Sequence, residues 1–163
     1  MKTGFKRKRL GKTDYRKRLR ILSSNRPRLV VRKSLKNILA QVVEYKGKGD
    51  KVILSVHSSE LKKMGYDGNK GNIPASYLIG LLIGSKAKKS NIRELVLDIG
   101  LQKSVKGSRI YSLLKGCIDS GLSIPHSKEI FPSEDRIKGA HIKNFNSNKF
   151  EEIKNKILGA QNA

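Results

Sequence analysis

The chain has 163 residues, of which 36 are Lys or Arg and 13 are Asp or Glu, so its formal net charge is +23. A compact protein with this excess repels itself, and nucleic acid is the usual polyanion that neutralises such a charge. The single cysteine excludes an intramolecular disulfide and a multi-cysteine zinc site. We expect a reducing, cytoplasmic setting without a secretory signal, because no apolar segment follows the basic N-terminus.

Residues 1–27 are interpreted as a basic arm. Ten of the first 20 residues are Lys or Arg, and Asp14 is the one acid among them. Part of the arm is predicted to be a helix that begins at Thr13, as N-cap, and ends near Leu22. The arm has too few apolar side chains for binding at a membrane surface. We predict that it binds RNA phosphates and becomes ordered on binding, the alternative being a solvated tail.

The arm supplies most of the predicted RNA contacts. Guanidinium and ammonium groups pair with phosphates, the former in bidentate fashion. Tyr15 has two possible roles, which are to stack on a base or to pack the arm onto the domain. The predicted phosphate-binding residues of the arm are Lys6, Arg7, Lys8, Arg9, Lys12, Arg16, Lys17, Arg18 and Arg20.

Three strands are predicted after the arm. Arg28–Arg32 alternates, with Leu29 and Val31 on one face. A turn leads to a second strand, Asn37–Tyr45, and the segment 46–50 (KGKGD) is a hairpin signal before a third strand, Lys51–His57. The three strands are expected to form an antiparallel meander.

A helix follows, with Asn72 as its N-cap and Pro74 in its first turn. Gly80 and Gly84 lie four residues apart, and we expect their shared face to approach the sheet closely. Glu94–Ile99 is an apolar run that is typical of a buried parallel strand.

The remaining segments are two helices and a short strand. Ser108–Asp119 carries an apolar stripe that includes Cys117, which is therefore assigned to the core. Leu122–Ile124 is predicted to be a short fifth strand. A C-terminal helix is expected from about Phe145, with Asn148 as its cap.

This order of elements predicts an α/β (α+β mixed) fold, in which helices pack on a mixed sheet. The proposed division is an arm, 1–27, a globular domain, 28–145, and a C-terminal helix, 146–163.

Seven segments resemble one family in the same order, over about residues 4–145. That family is the archaeal form of the large-subunit ribosomal protein numbered eighteen, whose eukaryotic counterpart is numbered five. The matching segments are TDYRKRLRIL (13–22), RPRLVVRKS (26–34), HSSEL (57–61), GNIPASYLIG (71–80), LVLDIGL (95–101), GLSIPHS (121–127) and KGAHI (138–142).

The resemblance implies a non-catalytic ribosomal protein with a ribonuclease-H-like fold. Its implied partners are 5S rRNA, the large-subunit rRNA and neighbouring ribosomal proteins of the central protuberance. It implies no cofactor, no small-molecule substrate and no membrane. The chain lacks the long C-terminal extension of the eukaryotic form, so contacts made by that extension are not expected here.

The resemblance also favours an RNA-binding surface on the folded domain, where polar side chains contact phosphates and 2′-hydroxyls. An ordinary solvated β face is the alternative, and helix capping would equally explain Ser58 and Asn72. The predicted residues on the first two strands and their turn are Arg28, Arg32, Lys33, Ser34, Lys36, Asn37 and Gln41. Those in the loops are His57, Ser58, Ser59, Gly71 and Asn72.

Two other functions are consistent with parts of the sequence. A non-specific nucleic-acid-compacting protein would explain the charge. A ribonuclease-H-like nuclease would use Asp98, but two-metal chemistry needs clustered carboxylates, and no dense acidic cluster is present. His57, His126 and His141 do not have the spacing of metal ligands.

Overall fold

The structure is a computed structural model that describes residues 4–47, 49–143 and 145–162. A four-stranded mixed sheet lies at its centre, in the order β3-β2-β1-β4. Strand β4 is parallel to β1, and the other neighbours are antiparallel. The predicted mixed α/β fold and the meander are confirmed. The strands are β1 Arg28–Lys33, β2 Ile38–Lys46, β3 Gly49–His57 and β4 Val96–Asp98.

The helices occupy both sides of this sheet. The longest helix, α4, packs against the face that carries Leu29 and Val31, and α5 packs on α4, while the N-terminal helices lie beside the opposite face. The helices are α1 Lys6–Arg9, α2 Tyr15–Leu22, α3 Glu60–Lys63, α4 Ile73–Lys89, α5 Arg109–Asp119, α6 Glu134–Ile137 and α7 Ser147–Asn162. A short 3-10 helix, Lys128–Ile130, precedes α6.

Side-chain caps fix where the helices begin. Asn72 caps α4 as predicted, since its Oδ1 accepts from the Ala75 amide at 2.8 Å. The predicted cap of α2 was wrong: Asp14, not Thr13, accepts from the amides of Arg16 and Lys17. A carboxylate directly before the first helical residue can accept hydrogen bonds from two free backbone amides, and its negative charge interacts favourably with the positive end of the helix dipole.

The cap of the C-terminal helix also differs from the prediction. Asn146, not Asn148, accepts from the Lys149 amide at 3.1 Å, because α7 begins at Ser147 and Asn148 is already within it. One side of this helix is apolar and buried. Its buried side chains are Phe150, Ile153 and Ile157.

Glycines bring α4 and α5 into backbone contact. A Cβ at Gly80 would lie 2.1 Å from the Leu113 carbonyl oxygen, and one at Gly116 would lie 2.2 Å from that of Tyr77. The expectation that the glycine face of α4 approaches the sheet was therefore wrong, since that face meets α5. Helix faces lined by glycine allow two helix backbones to approach closely. Larger side chains on other faces of α4 pack against the sheet.

The fourth strand is shorter than the predicted Glu94–Ile99. It ends at Asp98, whose Oδ1 accepts from the Gly100 amide at 2.8 Å, so the chain turns away there with Gly100 at φ +60°. The predicted fifth strand is reduced to one isolated bridge between Glu94 and Ser123.

The apolar core lies between the sheet and α4, α5 and α7. Cys117 is fully buried within it, as predicted, and burial raises the pKa of its thiol. Among the described helices, none has the length and apolar character needed to cross a membrane.

Candidate nucleic-acid interface

Helix α2 is attached to the sheet by charged groups. Arg18 Nη1 and Nη2 donate to the two carboxylate oxygens of Asp50 at 3.0 and 2.9 Å. Lys17 Nζ donates to the Gly100 carbonyl oxygen at 3.0 Å. In the structure Tyr15–Leu22 is helical and bonded to β3 and to the loop after β4. Ordering of the arm on RNA stays a prediction.

The Asp50 carboxylate also contacts a buried arginine of the sheet. Arg28 is 2% exposed and lies between Asp50 and Asp98, with Nη2 at 2.7 Å from Asp50 Oδ1 and Nη1 at 2.8 Å from Asp98 Oδ2. We call Arg18, Asp50, Arg28 and Asp98 the arm latch. Because Arg28 is buried and its guanidinium is paired with both carboxylates, its role is structural. We therefore remove it from the proposed RNA-contacting residues.

The arm latch is expected to stay charged at neutral pH. Burial by itself raises the pKa of Asp50, but the Arg18 and Arg28 guanidinium groups outweigh this effect and lower the pKa below its ordinary value. The hydrogen bond to Asp50 in turn raises the pKa of Arg18. The ion pairs thus support each other.

Most of the predicted arm cations point into solvent. Arg18 is half-buried in the arm latch, whereas the others remain available to a polyanion. Tyr15 is half-buried, and its ring stacks on Phe5 with the ring centroids 5.0 Å apart and 29° between the planes. This contact joins α1 to α2 within the arm, so it is neither of the two predicted roles, and stacking of Tyr15 on a base stays a prediction. The exposed arm cations are Lys6, Arg7, Lys8, Arg9, Lys12, Arg16, Lys17 and Arg20.

An open cleft of about 810 Å³ is lined by residues of both the arm and the sheet. The arm contributes Arg7, Lys12 and Lys17 to its wall, and the sheet contributes Arg32 and Gln41. Arg32 is held in place because its Nη1 donates to the carbonyl oxygens of Val31 at 2.9 Å and Asp98 at 3.2 Å. Its side chain is still 46% exposed, so its guanidinium has free donors for phosphate. The structure thus brings together arm and sheet residues that are far apart in sequence.

The β1–β2 turn forms a second predicted cluster. Lys33, Ser34 and Lys36 are exposed there, and Asn37 is half-buried. Ser34 and Asn37 close the turn, since the Ser34 amide donates to the Asn37 carbonyl oxygen at 2.8 Å and the Asn37 amide donates to Ser34 Oγ at 3.0 Å.

Arg109 at the start of α5 holds this turn, a role the sequence prediction missed. Its Nη1 donates to the carbonyl oxygens of Ser34 at 3.2 Å and Gly71 at 2.7 Å. Gly71 is buried so closely that a Cβ there would lie 2.9 Å from the Leu35 carbonyl oxygen. Nothing local in the sequence signals a contact that spans 75 residues. Gly71 is a packing residue, and we remove it from the proposed RNA contacts.

The predicted loop residues after β3 have mainly structural roles. Ser58 is fully buried, where its Oγ donates to Asn37 Oδ1 at 3.0 Å and accepts from the Ile38 amide at 3.2 Å. Asn72 caps α4, and this capping explanation was one of the two considered. We remove both from the proposed contacts. Half-buried His57 and exposed Ser59 lie at the far edge of the sheet, joined by a hydrogen bond of 2.6 Å.

Asp98 has a structural environment that differs from that of a nuclease carboxylate. It binds Arg28 and receives the Gly100 amide, so its oxygens are already occupied. Within residues 4–47, 49–143 and 145–162 there is no group of three His, Cys, Asp or Glu side chains suited to a metal ion.

Comparison with known proteins identifies the family. The model of the family described as ribosomal large subunit proteins 60S L5 and 50S L18 matches residues 1–94 and 86–127. The chain is 53% identical over 141 residues to large ribosomal subunit protein uL18 of Methanococcus maripaludis. That alignment covers 86% of this chain and 73% of the relative. The chain therefore belongs to the 60S L5 and 50S L18 family, as a structural, non-enzymatic constituent of the large subunit of cytoplasmic ribosomes, with rRNA and ribosomal proteins as partners.

Proposed function

We propose that this protein binds 5S rRNA and helps to attach it to the large-subunit rRNA in the central protuberance, beside neighbouring ribosomal proteins. One observation carries the proposal. Eight exposed arm cations lie on α1, on α2 and at Lys12 between them, the Arg18–Asp50 ion pair holds α2 against the sheet, and Arg32 lines the cleft between the arm and the sheet. An open cleft with Arg7, Lys12 and Lys17 on the arm side and Arg32 on the sheet side suits an RNA backbone.

The mechanism combines electrostatic capture with docking. The arm cations attract RNA phosphates and release counterions, and the rigid sheet then fixes the orientation of the bound RNA. Because α2 is already attached through the arm latch, binding avoids part of the entropy cost of ordering a free segment. If the arm and cleft contact about eight phosphates, log affinity falls against log salt with a slope of roughly −6 to −7.

Binding of the full chain to 5S rRNA, with tRNA as competitor, tests the proposal at about 0.15 M salt. A variant that lacks residues 1–20 removes the arm cations together with Arg18. A second variant, Arg9→Gln with Arg16→Gln and Arg20→Gln, removes charge but leaves the arm latch intact. We expect selective binding by the full chain and a strong loss in both variants.

The matched control is Lys128→Gln with Lys143→Gln, two exposed cations outside the arm and the cleft. Affinity for 5S rRNA should hardly change in this control. A salt slope of roughly −2 would contradict the electrostatic mechanism. Equal binding of tRNA and 5S rRNA would favour a non-specific nucleic-acid-binding role and would remove the basis for the sheet contacts.

A further inference from the structure

Leu35 is the most exposed large apolar residue in the described part of the chain. It lies at the tip of the β1–β2 turn, with 92% of its surface in solvent. A single exposed leucine is ordinary on a flexible loop. This turn differs because it is held from three directions and its neighbours are cationic.

The turn is held by contacts within the chain. Ser34 and Asn37 close it internally, Arg109 binds the Ser34 carbonyl oxygen, and the Gly71 backbone packs against the Leu35 carbonyl. The Leu35 side chain is thus presented by a rigid backbone. Rigid presentation lowers the entropy cost of burying it against a partner.

The charge around Leu35 indicates the partner. Three segments meet at this end of the sheet, 33–37, 69–72 and 99–109, and we call them the turn end. They carry six cations and no carboxylate, and one of the six, Lys106, is paired with Glu129 at 3.1 Å. Such a surface is complementary to a polyanion and disfavours a basic partner. The six cations are Lys33, Lys36, Lys70, Lys103, Lys106 and Arg109.

We propose that Leu35 packs against an unstacked base or a ribose of rRNA, while Lys33 and Lys36 bind the flanking phosphates. RNA exposes unstacked bases in loops and bulges, and their faces are apolar surfaces that a side chain can cover. Leucine side chains serve as apolar wedges between bases in other nucleic-acid complexes. Leu35 then recognises local RNA shape, and the lysines supply electrostatic affinity. This inference deepens the proposed function and rests on it for the choice of 5S rRNA as the first ligand.

The test compares Leu35→Ser with Leu35→Met and Lys36→Gln. We expect Leu35→Ser to weaken binding to the cognate rRNA by about tenfold, the loss of one buried leucine contact. Its salt slope stays unchanged, because no phosphate contact is removed. Leu35→Met keeps the apolar contact and stays within about twofold of wild type. Lys36→Gln makes the slope less negative by about 0.7 to 0.9.

Each affinity is measured with 5S rRNA, with large-subunit rRNA and with tRNA. The inference is overturned if Leu35→Ser binds both rRNAs as the wild type does, the result expected if Leu35 contacts a ribosomal protein instead. An equal loss on tRNA also overturns it. If the wild type does not prefer 5S rRNA to tRNA, the proposed function fails, which is a separate result. The affinities of Leu35→Ser and the wild type for large-subunit rRNA then test the role of Leu35. Thermal unfolding of the variants should match that of the wild type.

Discussion

Replacing Asp98 by Asn tests whether the arm latch is a stabilising buried network. The change keeps the side-chain shape, and Asn Oδ1 can still accept from the Gly100 amide that ends β4. It removes one of the two carboxylate charges that contact buried Arg28, and the new amide group turns a donor toward Arg28 Nη1.

The structure sets the expected magnitude. Breaking a buried ion pair by removing one partner costs about 3–5 kcal/mol. Asp50 remains on the other side of Arg28, so we expect the lower end, about 3 kcal/mol. For a chain of this size about 1 kcal/mol lowers the Tm by about 2–4 °C, which predicts a decrease of about 6–12 °C.

Thermal unfolding of the isolated protein followed by circular dichroism measures this change. The matched control is Glu94→Gln, the same carboxylate-to-amide exchange in a solvent-exposed pair with Arg26. The control should alter stability by less than about 1 kcal/mol. If Asp98→Asn unfolds at the same temperature as Glu94→Gln, the arm latch does not stabilise the fold and the reasoning about Arg28 is refuted.

Two further predictions concern helix packing and acid stability. Gly80→Ala places a methyl group against the Leu113 carbonyl oxygen, so we expect a loss of about 2 kcal/mol despite the better helix propensity of alanine. The matched control is Gly159→Ala, where a Cβ meets open space, and it should stabilise the protein by about 0.5 kcal/mol. Urea unfolding measures both variants, and equal stability of the two would contradict the close packing of α4 on α5. The folded-state pKa of Asp50 lies below its ordinary value of 3.8, so its contribution is present above that pH and is lost as the pH falls through the folded-state pKa. The Tm of the wild type should therefore fall more steeply below about pH 4 than that of Asp50→Asn, and parallel curves would exclude the effect.

Local patterns were sufficient to place most secondary structure. The alternation of Leu29 and Val31, the hairpin after β2 and the Asn72 cap each depend on residues close together in sequence. Such periodicities and caps are properties of a single element. The cap of α2 was predicted less well, because Thr13 and Asp14 are adjacent and both residue types cap helices. The end of β4 was predicted less well, because it depends on the turn in which Asp98 accepts from the Gly100 amide.

The candidate site was predicted in its composition but not in its arrangement. Arg28 and Arg32 alternate onto the same strand face and are equivalent by sequence. Only the folded chain shows that Asp50 and Asp98 enclose Arg28, while the Arg32 side chain remains partly exposed in the cleft. Similarly, the chain order does not reveal that Arg109 holds the turn that carries Leu35.

The sequence by itself determined that this chain is a basic, mixed α/β protein of a ribosomal family with a cationic arm. Charge, periodicity and motif order depend only on the order of the residues and not on contacts between distant segments. The tertiary structure decided which cations remain free for RNA and which are paired with Asp50 and Asp98. It also decided that the glycines of α4 meet α5 instead of the sheet. These outcomes depend on contacts between distant segments, whose burial and electrostatic energies exist only once the chain has folded.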